Sequence, residues 1–215
     1  MDVVKTPSGD VSAVWDGPGD APNALVLAHG AGNDLNSSFM AHFAAGLADA
    51  GIDVCRFNFL YTERGRRTPD RTAVLEETYR AVLESAKAGR PGARLFIGGK
   101  SMGGRIASHL AAAGERVDGL VFLGYPLHPP GKPEKARATH LSDIKVPMLF
   151  VEGTRDPFCP LETLEKLRAD LVAETTVAVI DDGDHSFKVR KSSGRSTEEA
   201  WDEAVSAVAD WLETR

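Results

Sequence analysis

Cysteine is scarce in this chain of 215 residues: Cys55 and Cys159 are the only two. They are too few for a dense disulfide framework, and they lack the His/Cys spacing of a zinc site, so no metal is expected. Long apolar runs are missing too, and none approaches the length needed to cross a bilayer. The opening residues, Met1 to Pro7, lack the basic-then-apolar order of a secretory signal. Positive charge is not in excess: the formal net charge is −6 with both signs spread along the sequence. Without a basic stripe, no nucleic-acid partner is expected, and no membrane partner either. A reduced, cytoplasmic protein is the expectation. There is no internal repeat, low-complexity tract or linker. With 42% hydrophobic and 26% charged residues, residues 1–215 suit a single domain with a substantial core.

What is present is a regular alternation of short apolar runs with helical patterns, the signature of a mostly parallel sheet covered by helices on both faces. Val11 to Trp15 alternates and predicts an early antiparallel edge strand. Ala24 to Ala28 is unbroken and apolar, as a buried central strand is. Val54 to Phe59, Arg94 to Ile97, Leu120 to Leu123, Pro147 to Val151 and Val177 to Ile180 supply further strands. Between them, Ser37 and Ser38 can cap a helix ended by Gly51, and Thr68-Pro69 can open a longer one, with proline where its missing amide hydrogen costs least. Leu161, Leu164, Leu167 and Leu171 mark another helix. The last opens with Ser196 and Glu199, spaced as a capping box.

Gly99-Lys100-Ser101-Met102-Gly103 fits G-x-S-x-G between a predicted strand and a predicted helix. A tight strand-to-helix turn lifts the serine hydroxyl to the carboxyl edge of the sheet, and its glycines leave room for the bend. Serine needs a base, and the base must be held in one tautomer. Asp156 follows the strand ending at Val151, and His185 follows the strand ending at Ile180. Both then fall on loops at the same edge, in the order Ser, Asp, His. Asp181, Asp182 and Asp184 are rival carboxylates, but their place beside His185 suits turn roles better. His29-Gly30-Ala31-Gly32 follows the central strand and fits an oxyanion loop, with the amides of Ala31 and Met102 as donors and His29 and Gly30 as support.

His29-Gly30, Gly99 to Gly103, Asp156 and His185 together resemble the α/β-hydrolase superfamily across nearly the whole chain. The small size resembles its dienelactone-hydrolase-like branch, with Ser101 where some of those enzymes have a cysteine nucleophile. Arg56 to Phe59, Gly65-Arg66-Arg67 and Leu123 to Lys132 look most like the KANL/Tex-type hydrolase-like group, some of whose eukaryotic relatives belong to chromatin complexes. The resemblance implies an α/β-hydrolase fold with minimal or no lid, and a serine hydrolase acting on a carboxylic ester or thioester without a cofactor. Its partner would be a small-molecule or acyl-carrying substrate. The alternatives are a non-catalytic scaffold of the same fold, or an acyltransferase.

Arg64, Arg66 and Arg67 follow a strand and are candidates for an anion hook. The competing reading is a solvated loop pairing with Glu63 and Asp70, which is the usual fate of a surface charge run. His128, in a loop stiffened by prolines, is a candidate wall of the site. Lys100 is expected to point away from the substrate and pair with a neighbouring loop, and Cys159 to be a packed thiol. The connection from Tyr125 to Lys145 has no room for a multi-helix lid.

Overall fold

The sequence Asn23–Ala28 forms strand β3, and all six of its residues are buried. Such a strand needs cover on both faces, and two apolar clusters provide it. One cluster joins the sheet to the helices Thr72–Gly89 (α3), Met102–Ala112 (α4) and Leu161–Ala169 (α5). The other joins it to Ser38–Asp49 (α1) and Thr197–Glu213 (α6). In this computed structural model, which describes residues 1–129, 131–132 and 138–215, the chain forms one eight-stranded sheet in three layers. The strands are Asp2–Val4 (β1), Val11–Asp16 (β2), β3, Asp53–Phe57 (β4), Arg94–Lys100 (β5), Gly119–Leu123 (β6), Met148–Gly153 (β7) and Thr175–Ile180 (β8). Their order is β1-β2-β4-β3-β5-β6-β7-β8. β1 and β2 are antiparallel to their neighbours, and β4 through β8 are parallel. Parallel order brings every loop after β3, β5, β6, β7 and β8 to one edge.

Three expectations need correction. The edge strand is β1, not β2, because β2 pairs with β4 on one side and with β1 on the other. At three residues, β1 is too short for alternation to reveal it. The strand predicted to run to Phe59 stops at Phe57. The Asn58 side chain accepts from the Leu35 amide at 2.9 Å, and the Phe59 amide donates to His29 Nε2 at 3.2 Å. These bonds pull the chain out of the sheet into one helical turn, Leu60–Glu63 (α2). The long helix opens at Thr72 and not at Thr68. Proline disfavours helical geometry in the residue before it, and Asp70 is held by Arg66 at 2.5 Å, so residues 68–71 stay as a loop.

The capping box of α6 is formed as its sequence predicts: the Glu199 amide donates to Ser196 Oγ at 3.1 Å, and the Ser196 amide to Glu199 Oε2 at 2.6 Å. Tyr79 of α3 is fully buried and reaches into the sheet. Its hydroxyl lies 2.7 Å from the carbonyl oxygens of both Val26 and Gly98, and accepts from the Gly98 amide at 2.9 Å. A side chain thus ties the carboxyl halves of β3 and β5 together.

The connection after β6 contains Pro130, which lies outside the described residues, as do 133–137. Beyond them a 3-10 turn, Thr139–Asp143, meets α4 through a 2.7 Å hydrogen bond between His140 Nε2 and Ser108 Oγ. Among the described residues no lid covers the carboxyl edge of the sheet, and no helix is long and apolar enough to cross a membrane.

Candidate active site

β5 enters a turn whose centre, Ser101, has φ 51° and ψ −111°. That is a strained conformation for a residue with a side chain, and the packing around it enforces it. Gly99 and Gly103 both lie against the carbonyl oxygen of Ala28 in β3; a Cβ would stand 2.3 Å from it at Gly99 and 2.4 Å at Gly103. Neither glycine can be replaced without pushing β3 and the β5–α4 turn apart. The close approach brings Ser101 onto the N-terminus of α4, beside the loop that follows β3.

His185 Nε2 lies 2.9 Å from Ser101 Oγ, and His185 Nδ1 lies 2.6 Å from Asp156 Oδ2. A carboxylate accepts, so Nδ1 carries the proton and Nε2 is left as the acceptor for the serine hydroxyl. The Asp156 side chain is fully buried, while that of His185 is 21% exposed. Asp156 Oδ1 accepts from the Phe158 amide at 2.8 Å, which fixes the other carboxylate oxygen, and the Phe158 ring stands edge-on to His185 at 4.6 Å. Two of the three rival carboxylates are engaged elsewhere. Asp182 pairs with Arg155 and Arg190, and Asp184 Oδ1 accepts from the amides of Ser186 at 2.7 Å and Lys188 at 3.0 Å.

His29 is buried and braces the loop after β3. Its Nδ1–H donates to the Gly30 carbonyl at 2.8 Å, and its Nε2 accepts from Phe59. Burial lowers its pKa, which keeps the ring neutral and able to do both. Ala31 and Met102 border the same cavity as Ser101, and the Met102 amide, first in α4, has no intrahelical acceptor.

That cavity has a volume of about 290 Å³ and is lined by Leu75, Met102, Pro126, His128, Phe158 and His185 among others. His128 is therefore a wall, with its Nδ1 3.0 Å from the Pro129 carbonyl. The arginine loop is not. Arg66 is bound to Asp70, Arg64 donates to the Ser8 carbonyl at 2.7 Å, and none of Arg64, Arg66 and Arg67 lines the cavity. The arginine that does line it is Arg105 of α4, one helical turn past the nucleophile turn and legible from that spacing. Phe158 had a signal as well, two residues after Asp156.

Behind Asp156, two residues depart from expectation or escaped it. Lys100 is buried and its Nζ has no hydrogen-bond partner among the described residues, so it does not pair with a loop. Glu152 is fully buried, with Oε1 accepting from the Tyr125 amide at 2.6 Å. Burial, and then the Asp156 charge, push its carboxyl well above the usual range. Cys159 is buried, and burial raises its thiol; it is a packed, inert group. Among the described residues, no three His, Cys, Asp or Glu side chains are grouped to hold a metal ion.

Residues 21–213 match the profile of a family described as the alpha/beta hydrolase domain. Among solved structures, a serine hydrolase homologue from Coxiella burnetii superposes with a TM-score of 0.79 at 18% identity, covering 98% of this chain and 96% of its own. A dienelactone hydrolase from Anabaena variabilis does so with a TM-score of 0.80 at 19% identity, over 99% of this chain and 95% of its own. A serine hydrolase without a lid from Xanthomonas campestris gives 0.76 at 22% identity, over 98% and 94%.

Proposed function

The chain belongs to the alpha/beta hydrolase domain family, and from that premise we propose that it is a serine hydrolase of carboxylic esters or thioesters, working through an acyl-enzyme. The observation that carries this reading is the unbroken line of hydrogen bonds from Ser101 Oγ through His185 to Asp156, at 2.9 and 2.6 Å. Ser101 Oγ attacks the acyl carbonyl while His185 Nε2 takes its proton, and Asp156 stabilises the imidazolium that results. The carbonyl oxygen becomes an anion held by the amides of Met102 and Ala31. As the tetrahedral centre collapses, the proton on Nε2 passes to the departing alkoxide or thiolate. Water then attacks the acyl-serine, giving its proton to Nε2, and Ser101 leaves with that proton as the carboxylic acid is released.

The open carboxyl edge and the mixed lining of the cavity support a small acyl group, or one carried on a larger molecule. The dienelactone hydrolase and the lidless serine hydrolase among the similar structures are in keeping with that choice. A serine-directed fluorophosphonate tests the reading before any substrate is known. The expected result is a single adduct on Ser101, absent in Ser101→Ala at unchanged melting temperature. A folded protein that takes no label would favour the scaffold reading instead. Hydroxylamine or an added alcohol intercepting the acyl-enzyme in place of water would separate acyl transfer from hydrolysis.

A further inference from the structure

Among the described residues, three that are not glycine hold a positive φ: Ser101, Asp182 at 54° and Phe187 at 60°. The first is the centre of the nucleophile turn. The other two bracket His185 on the loop after β8. Such backbone is strained for a residue with a side chain, most of all a bulky one, and it persists only where its surroundings over-determine it.

Two helices hold this loop. The Phe187 ring is fully buried beside Phe39 and Phe43 of α1, with ring centres 5.8 and 6.2 Å away. Trp201 of α6 donates from Nε1 to the Ser186 carbonyl at 2.8 Å. Neither anchor reaches the loop after β7, which carries Asp156. Yet the bond between His185 and Asp156, at 2.6 Å, requires that the two loops stay in register.

Arg155, the residue before Asp156, joins them. Its amide donates to the Gly183 carbonyl at 2.9 Å, its Nε to the Asp182 carbonyl at 2.9 Å and its Nη2 to the Lys188 carbonyl at 3.0 Å. The side chain therefore grips the histidine loop on both arms, at one strained residue and beside the other. The near arm has a further tie, since the Asp182 amide donates to Thr154 Oγ1 at 2.8 Å. The far arm, among the described residues, takes no other hydrogen bond from the aspartate loop. A guanidinium suits this task because Nε and Nη2 share one planar edge, and each meets its own oxygen. The ion pair of Arg155 with the Asp182 carboxylate is also made by Arg190, so it is the two carbonyls that set Arg155 apart.

We propose that Arg155 is a positioning residue of the active site, a fork that holds the loop of His185 against the loop of Asp156 so that the imidazole meets carboxylate and serine together. The proposal rests on the triad reading of the site. Arg155 does not line the catalytic cavity; it acts through His185 and Asp156, and its loss falls on turnover and not on substrate binding.

The test compares Arg155→Lys, which keeps the charge but offers a single nitrogen, with Arg155→Met, which removes every side-chain donor. Arg190→Met removes the other cation on Asp182 and serves as the control. Three quantities are read from each intact protein, at temperatures where circular dichroism shows it folded: kcat and KM for a nitrophenyl ester, the rate of fluorophosphonate labelling, and the far-downfield proton signal of His185 Nδ1–H. Both Arg155 variants should lose at least tenfold in kcat and in labelling rate with KM within twofold, and their downfield signal should broaden away. Arg190→Met should match the wild type throughout. Wild-type kcat and signal in Arg155→Lys would overturn the proposal, because charge alone would then suffice. So would an equal loss in Arg190→Met, or a fall in kcat with the signal intact. If neither Arg155 variant folds at any temperature, Arg155 serves folding and the proposal fails. A wild type that cleaves no ester and takes no label, yet loses the downfield signal in Arg155→Lys, would refute the hydrolase reading and leave the fork standing.

Discussion

Ser101 and Lys100 are neighbours in the chain, yet they end in opposite electrostatic situations. The serine hydroxyl is met at 2.9 Å by an imidazole that is itself held by a buried carboxylate. The lysine ammonium, one residue earlier, is buried with no partner among the described residues. The first arrangement is complete at rest. The second is incomplete, and burial pulls its pKa down to about 8. One turn thus carries both a satisfied network and an ammonium held without a hydrogen bond, its charge offset only through the field of Asp156, Glu152 and Asp184.

The strongest way to break this comparison is to remove the serine. Ser101→Ala should lower ester hydrolysis by about 10⁴-fold or more, and His185→Ala by a similar factor, with the double variant no worse because the pair acts as one unit. Losses that multiply in steady-state assays of the double variant would mean that the two groups work independently. Lys100→Met should cost far less activity and affect stability instead. The Lys100 pKa falls from 10.5 in the open chain to about 8 when folded, so between those values the unfolded chain binds the extra proton. Wild-type stability should therefore gain a contribution as pH climbs from about 8 to about 10.5, on the order of 3 kcal/mol. Lys100→Met should lack it, and the buried tyrosines and cysteines, common to both proteins, cancel in the difference. Parallel urea-unfolding curves at pH 7 and pH 10 check this; identical pH trends would place the ammonium in water.

A smaller effect sharpens the description of the serine side. Each methylene buried in the cavity is worth about 0.8 kcal/mol, roughly a fourfold gain in kcat/KM per carbon. In a 290 Å³ space with an uncovered edge, that gain should end after the first few carbons. A nitrophenyl ester series from acetyl upward, kept below micelle concentrations, measures it; efficiency that climbs through long chains would reveal a cover over the cleft. The mildest test lies off the turn. Burial, and then His109 and Arg105, lower the His140 pKa from 6.5 to about 4. As pH falls through that window the unfolded chain takes a proton that the folded one refuses, so stability declines. His140→Gln should flatten the acid side of a melting-temperature profile between pH 6.5 and pH 4.

The residues that bend the chain sharply were the legible ones. Gly99 to Gly103, Asp156 and His185 stand at strand ends where composition changes abruptly, and Ser196 with Glu199 announces a helix by spacing alone. Long-range partners were not legible. Nothing local to Lys100 says that no loop comes to meet it, whereas the pairing of Arg66 with Asp70, only four residues on, was one of the two readings that the charge run offered. β1 and α2 escaped because three or four residues carry no period, and α3 began late because Asp70 had been claimed by a side chain. Glu152 reads as one polar residue in an apolar strand; its burial against Tyr125 belongs to the packing of β6 on β7.

The Tyr79 hydroxyl gives α3 a mechanical role. Gly98 stands three residues before Ser101, and its amide donates to a side chain of a helix. The same helix supplies Thr72 and Leu75 to one wall of the catalytic cavity. That wall and the Ser101 turn are therefore mounted on a common part, like a jaw and its anvil. The opposite jaw, His128 and Phe158, stands on two loops tied to each other, the Leu127 amide donating to the Phe158 carbonyl at 3.0 Å, and so is mounted apart from α3.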